Sequence, residues 1–280
     1  MKSYLSNDFD MTAYPEVADE LPFWSAPFAI RLLDKIEYKP GITALDIGFG
    51  CGFPLTELAM RLGEESVVYG LDPWKEAAAR AAKKIAYYRI RNIRLIEGVM
   101  ESIPLENHSV DLIVSNNGMN HAADAGQAFS ECSRVLRPGG QMVLTLNLDQ
   151  SMMEFYHELI SVLKEMKMEK EIADVYGHIR QKRRPLEETL SLILNHGFEI
   201  REAEQDQFMY RFANGTAMLN HYFIRLAFMG SWISLLPGES LEAVFDRVET
   251  RLNRRSEAQG GIRLTIPFVV INASRKPEKG

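Results

Sequence analysis

Residues Ala44 to Pro54 read ALDIGFGCGFP: a short apolar run meets an acid, and glycine then alternates at Gly48, Gly50 and Gly52. Glycine supplies positive φ and lets backbone approach a neighbour closely, so the run reads as a buried strand (43–48) followed by a tight turn. Pro54 falls where a helix begins, a place that tolerates its missing N–H, and LTELAMRLG carries that helix to Gly63. The alternation continues. SVVYGLD (66–72), IRLIEG (93–98), VDLIVSNN (110–117) and QMVLTLNL (141–148) read as further buried strands. PWKEAAARAAKKIAYY and DAGQAFSECSRVL read as helices among them, the second stopped by RPGG. Buried strands alternating with helices predict an α/β fold, a doubly wound and mostly parallel sheet covered on both faces.

After residue 148 the pattern changes. Residues 151–168 and 186–196 look helical, EIREAEQDQFMYRFA resembles a strand, and RLTIPFVVINASRK is a clear final strand. The helical stretches MLNHYFIRLAFMGSWISLLP (218–237) and ESLEAVFDRVETRLNRRSEA lie between those two strands. We read them as a helical cap inserted before the last strand, at about 212–260. The expected organisation is an N-terminal helical lid segment (1–40), an α/β ligand-binding core (41–150) and a C-terminal part (151–280) that completes the sheet and carries the cap. The stretch 218–237 reads as pocket wall or helix packing, then as the interface of a homodimer, and last as a contact with a membrane surface. RQKRRP (180–185) reads as a solvated basic face or as an attractor for an anionic group.

Composition removes several function classes. Lys and Arg number 32 against 38 Asp and Glu, a formal charge of -6, which weighs against a nucleic-acid partner. Two cysteines, Cys51 and Cys132, make neither a disulfide framework nor a zinc pattern, so no metal is expected. No run of about 18 uncharged apolar residues is present to span a membrane. KSYLSNDFD lacks the apolar stretch of a secretory leader, and a cytoplasmic location is expected.

A strand that ends in a glycine turn before a helix places backbone N–H groups where an anion or a close ligand binds. Asp72 ends the second strand, 20 residues after Gly52, where a carboxylate accepts from a ribose diol. A dinucleotide fingerprint needs G-x-G-x-x-G; here Phe53 stands at its last glycine and NAD fits less well. LDIGFGCG with the strand-ending acid resembles instead the class I S-adenosylmethionine-dependent methyltransferases. GVMESIPLENHSVDLIVSNN and RVLRPGGQMVL extend the likeness over roughly residues 40–150.

That resemblance implies the cofactor S-adenosyl-L-methionine and assigns roles to residues. Asp46, Gly48 and Gly50 would surround its methionine end. Asp72 would hold the ribose, with Pro73 or Trp74 against the adenine. Met100 would offer backbone to the adenine edge. Val99 stands where relatives often carry an acid, so either a water or Glu101 would substitute or adenine would be held less tightly. Asn116 would lie near the methionyl amino group. The function implied is methyl transfer to a small-molecule substrate by in-line attack on the sulfonium methyl. His121, after the fourth strand, is the candidate general base, against the reading that it bonds the next helix. Tyr14, Phe23 and Trp24 are candidates to close over the cofactor or contact the substrate, and His221 and Tyr222 are candidate substrate contacts and second candidates for the base. SNNG lacks the Asx-Pro-Pro-aromatic run of enzymes that methylate nucleobase or glutamine amino groups, and two cysteines are too few for arsenic methylation. Two alternatives stay open: a non-catalytic S-adenosylmethionine-binding sensor or assembly module, and, third, an NAD-linked oxidoreductase.

Overall fold

A computed structural model describes residues 2–5, 10, 12–16 and 23–277. Two compact units are distinguished. The first comprises Met1–Asp10, Leu148–Arg184 and Gln207–Pro267; the second comprises Met11–Asn147, Pro185–Asp206 and Phe268–Gly280.

The second unit is built on the sheet. Its strands are β1 (Thr43–Ile47), β2 (Val67–Asp72), β3 (Ile93–Glu97), β4 (Val110–Asn116), β5 (Leu136–Asn147), β6 (Phe198–Phe212) and β7 (Ile262–Arg275), in the order β3-β2-β1-β4-β5-β7-β6. β1 to β5 pair in parallel, and β7 runs antiparallel to β5. The chain passes from one unit into the other within β6 and again within β7. Parallel pairing needs crossover helices, which bury both faces; Leu45, Ile47, Leu112, Ile113, Val114, Val143 and Leu144 are accordingly buried. The crossover helices are α2 (Leu55–Leu62), α3 (Lys75–Tyr88) and α4 (Ala125–Val135), joined by α1 (Ser25–Asp34) before the sheet. α1 packs on β4 and β5, α2 on β2, α3 on β3 and α4 on β5.

Two local expectations shift. Pro54 is the residue before α2 rather than its first helical one. Arg137 to Gly140, expected to separate helix from strand, belong to β5 itself. They form an irregularity there: Val110 pairs with Leu136, yet Leu112 pairs with Gln141. Gly139, at φ +78, supplies the left-handed backbone that this bulge needs.

The first unit is helical. After β5 come α5 (Met153–Glu165) and α6 (Glu169–Lys182), then α7 (Leu186–Asn195) of the second unit, then β6. Between β6 and β7 lie α8 (Gly215–Asn220), α9 (Tyr222–Ile224), a π turn (Arg225–Met229), α10 (Gly230–Ile233) and α11 (Gly238–Gln259). α6 has no counterpart in the sequence reading. The apolar stretch 218–237 supplies core: Met218, Leu219, Phe223, Ile224, Met229 and Trp232 are buried. Trp232 stacks on Phe155 with ring centroids 3.8 Å apart and donates its indole N–H to the Tyr156 hydroxyl at 3.1 Å. Among the described residues no helix is long and apolar enough to cross a membrane.

Candidate cofactor site

The strand order reverses between β1 and β4, and in sheets of this kind ligands bind outside the carboxyl ends of the strands at such a reversal. β1 ends there and enters the glycine turn. Gly48, Gly50 and Gly52 have φ of +78, +52 and +97, values that side chains resist. Their surroundings differ. A Cβ on Gly48 would stand 2.8 Å from the Gly118 Cα, and one on Gly52 would stand 3.1 Å from the Ala81 Cβ on α3. One on Gly50 would meet nothing within 4 Å. The outer glycines thus seat the turn on its neighbours, and the middle one leaves room beside bare backbone.

Asp72 ties this turn to the next helix. One carboxylate oxygen accepts the Gly50 N–H and the other the Trp74 N–H, both at 2.8 Å. An ionised carboxylate has about four acceptor sites, so capacity for a diol remains. Asp46 is the opposite case. Its side chain is fully buried and neither oxygen has a hydrogen-bond partner. Burial, followed by the charge of Asp72, pushes its carboxyl up to about 8. A bound cation would restore its charge, because an unpaired buried carboxylate is costly in ionised form.

Around this pair, Pro73 is exposed and Trp74 half-buried at the head of α3. Met100 is buried, whereas Val99 is 47% exposed. Glu101 is engaged: its Oε1 accepts from the backbone N–H groups of Ala123 (2.7 Å) and Asp124 (3.2 Å). Asp124 in turn caps α4 by accepting from Gln127 at 3.0 Å.

The end of β4 carries a polar cluster. Asn116 donates to the Ser25 carbonyl at 3.1 Å and accepts from the Thr145 hydroxyl at 3.0 Å. The Asn117 side-chain oxygen accepts from Asn120 (3.0 Å) and from the Asn147 backbone (3.1 Å), while its buried amide nitrogen has no partner. Ser115 donates to the Ile47 carbonyl at 2.8 Å, and a Cβ on Gly118 would lie 2.3 Å from that same oxygen. The turns after β1 and β4 are therefore in direct backbone contact. His121 closes the short Gly118–His121 turn and is exposed.

The structure brings Trp24 to this end of the sheet, since its neighbour Ser25 is the residue that Asn116 holds; its ring packs edge-on against Phe28 at 5.6 Å. Phe23 beside it is 73% exposed. The Cys51 thiol lies 3.8 Å from the Pro15 carbonyl, and Glu16 pairs with Lys83 of α3. Tyr14 shares that turn, but its side chain lies outside the described residues. His221 and Tyr222 belong to the first unit, where burial lowers the imidazole of His221 below its ordinary value. Sequence reasoning missed Gly118, Asn117, Asn120, Thr145 and Asn147. The signal was present in the glycine of SNNG and in the polar positions of LTLNL, the strand that pairs with it.

Residues 45–144 match the family model of a methyltransferase domain. An arsenite methyltransferase of Halobacterium salinarum is 32% identical over 38% of this chain and 27% of its own length. A demethylmenaquinone methyltransferase of Bacillus mycoides is 29% identical over 45% of this chain and 52% of its own length. The chain thus spans about half or less of the curated relatives it matches. The solved structure of YcgJ from Bacillus subtilis shares the fold, with a TM-score of 0.58 at 16% identity over 90% of this chain and 99% of that one. The matched segment opens on the strand that enters the glycine turn and closes inside β5, so residues 45–144 carry a methyltransferase domain similar to those of S-adenosylmethionine-dependent enzymes.

Proposed function

We propose that the chain transfers a methyl group from S-adenosylmethionine to a small organic molecule. The observation that carries this reading is the pairing of two unlike carboxylates at one turn. Asp46 is buried without a partner, which suits the methionyl ammonium, and Asp72 is anchored with acceptor sites to spare, which suits a ribose diol. Gly48 and Gly50 then lie beside the methionine end, Pro73 and Trp74 against adenine, and Met100 and Glu101 at the adenine edge. Asn116 keeps one lone pair on its oxygen for the amino group.

The bound sulfonium supplies a methyl already activated for attack. The chain's own task is to align the acceptor and exclude water. His121 is assigned to take the proton of an acceptor that arrives protonated. Trp24 and Tyr14 are assigned to contact the acceptor. The segment at Pro15 and Glu16, which touches the glycine turn and α3, supports a lid role for residues 1–40. Cys51 and Cys132, neither in a disulfide, favour a reducing, cytoplasmic setting. With two cysteines in the chain, an arsenic acceptor is disfavoured. Six of the apolar side chains of 218–237 that a homodimer would use, Met218, Leu219, Phe223, Ile224, Met229 and Trp232, are buried in the first unit.

Calorimetry with S-adenosylmethionine and with NAD tests the cofactor, and preference for NAD would end the proposal. Incubation with methyl-labelled cofactor and a metabolite extract tests turnover. Binding with persistent absence of labelled product would make the chain a sensor or assembly module instead.

A further inference from the structure

The basic run RQKRRP divides sharply by exposure. Arg180, Lys182 and Arg184 are exposed, whereas Arg183 is 3% exposed. α6 ends at Lys182, and Arg183 takes extended backbone (φ -141, ψ 101) while its N–H still closes on the Ile179 carbonyl at 3.1 Å. Its Nε and Nη1 are buried and have no hydrogen-bond partner. Among the described residues no carboxylate pairs with it. A guanidinium keeps its charge at any ordinary pH, and proteins bury such a charge only when something pairs it.

One group that feels its charge is a histidine of the same helix. The His178 imidazole is held below its ordinary value, by burial first and then by the charges of Arg183 and Lys182. The ring of Tyr156 on α5 lies 6.3 Å from that of His178. The Tyr156 hydroxyl accepts from Trp232, which leaves its own proton to donate. A buried fixed cation, with no acid among the described residues to balance it, selects a ligand that brings the negative charge. The planar guanidinium fork matches two oxygens of one group.

We propose that the first unit carries a binding site for an oxyanion, the carboxylate or phosphate group of a small organic ligand, centred on Arg183. The site lies within one unit and stands apart from the methyl-transfer reading.

The test uses the full chain at constant ionic strength, titrated with inorganic phosphate and, separately, with acetate, each against chloride. Thermal unfolding and calorimetry are read together. The site predicts saturable stabilisation by one of the two probes, and the tighter one identifies which group the ligand carries. Arg183→Gln should bind that probe about 10- to 100-fold more weakly, and Arg183→Lys should keep part of the affinity. S-adenosylmethionine binding, measured on the same variants, should not change, so this proposal and the methyl-transfer reading fail separately. Should neither anion stabilise the wild-type chain beyond chloride, or should the glutamine variant respond as the wild type does, the proposal is overturned. If that variant does not fold, the wild-type titration and the lysine variant decide.

Discussion

Asp46 and Asp72 sit on adjacent strands and have opposite fates. Asp72 is satisfied by two backbone N–H groups. Removing its carboxylate strands those donors and, on the proposed function, deprives a ribose of its partner, so Asp72→Ala should weaken S-adenosylmethionine binding by about 1–3 kcal/mol. An unchanged dissociation constant in calorimetry would remove Asp72 from the site. Asp46 has a folded-state carboxyl raised from 3.8 to about 8. A raised acid favours the folded state while protonated, and that contribution is lost as pH climbs from the ordinary carboxylate range through about 8. Ligand-free melts of the wild type should therefore fall between pH 6 and 8 more steeply than those of Asp46→Asn. Parallel pH profiles would show that Asp46 does not titrate there. The position of Asp72 at the end of β2 was legible, because an apolar run that stops at an acid marks where the strand ends. The isolation of Asp46 was not legible, since it depends on which atoms fail to reach it across the sheet.

Among the elements, the turns after β1 and β4 form one piece of backbone. Gly118 lies against Ile47 and Gly48 with no room for a methyl group, so Gly118→Ala should cost about 3 kcal/mol or more. Thermal or denaturant unfolding would measure that loss, and a cost under about 0.5 kcal/mol, the range of an ordinary surface change, would show that the two turns separate freely. Strands β1, β2 and β4 and the later part of β5 could be read from sequence because burial on both faces writes them as largely apolar runs. α6 escaped because its inward face is sparse: Ile172, Val175 and Ile179 are its buried residues among many charges. The π turn at Arg225–Met229 escaped for another reason, since an apolar stretch gives no sign of where a helix widens by one residue. Arg137 to Gly140 read as a helix stop, which they are; that they also pair as a bulge is decided by β4 alongside.

At the scale of the molecule, the proposed cofactor site and the Arg183 cluster fall in different units. Hydrogen exchange with S-adenosylmethionine bound should slow at residues 48–53 and 72–75 of the second unit and leave 178–183 of the first unchanged. Protection appearing in the first unit instead would relocate the cofactor. The sequence anticipated helices inserted before the last strand but gave no warning that the chain changes unit five times, after Asp10, Asn147, Arg184, Asp206 and Pro267. Such crossings are three-dimensional bookkeeping with no local sequence signature. They carry a consequence for anyone cutting the gene. Neither unit corresponds to an uninterrupted stretch of codons, and β7, within the final twenty residues, belongs partly to each. A premature stop near residue 260 would not shorten a tail; it would withdraw a structural strand from both halves at once.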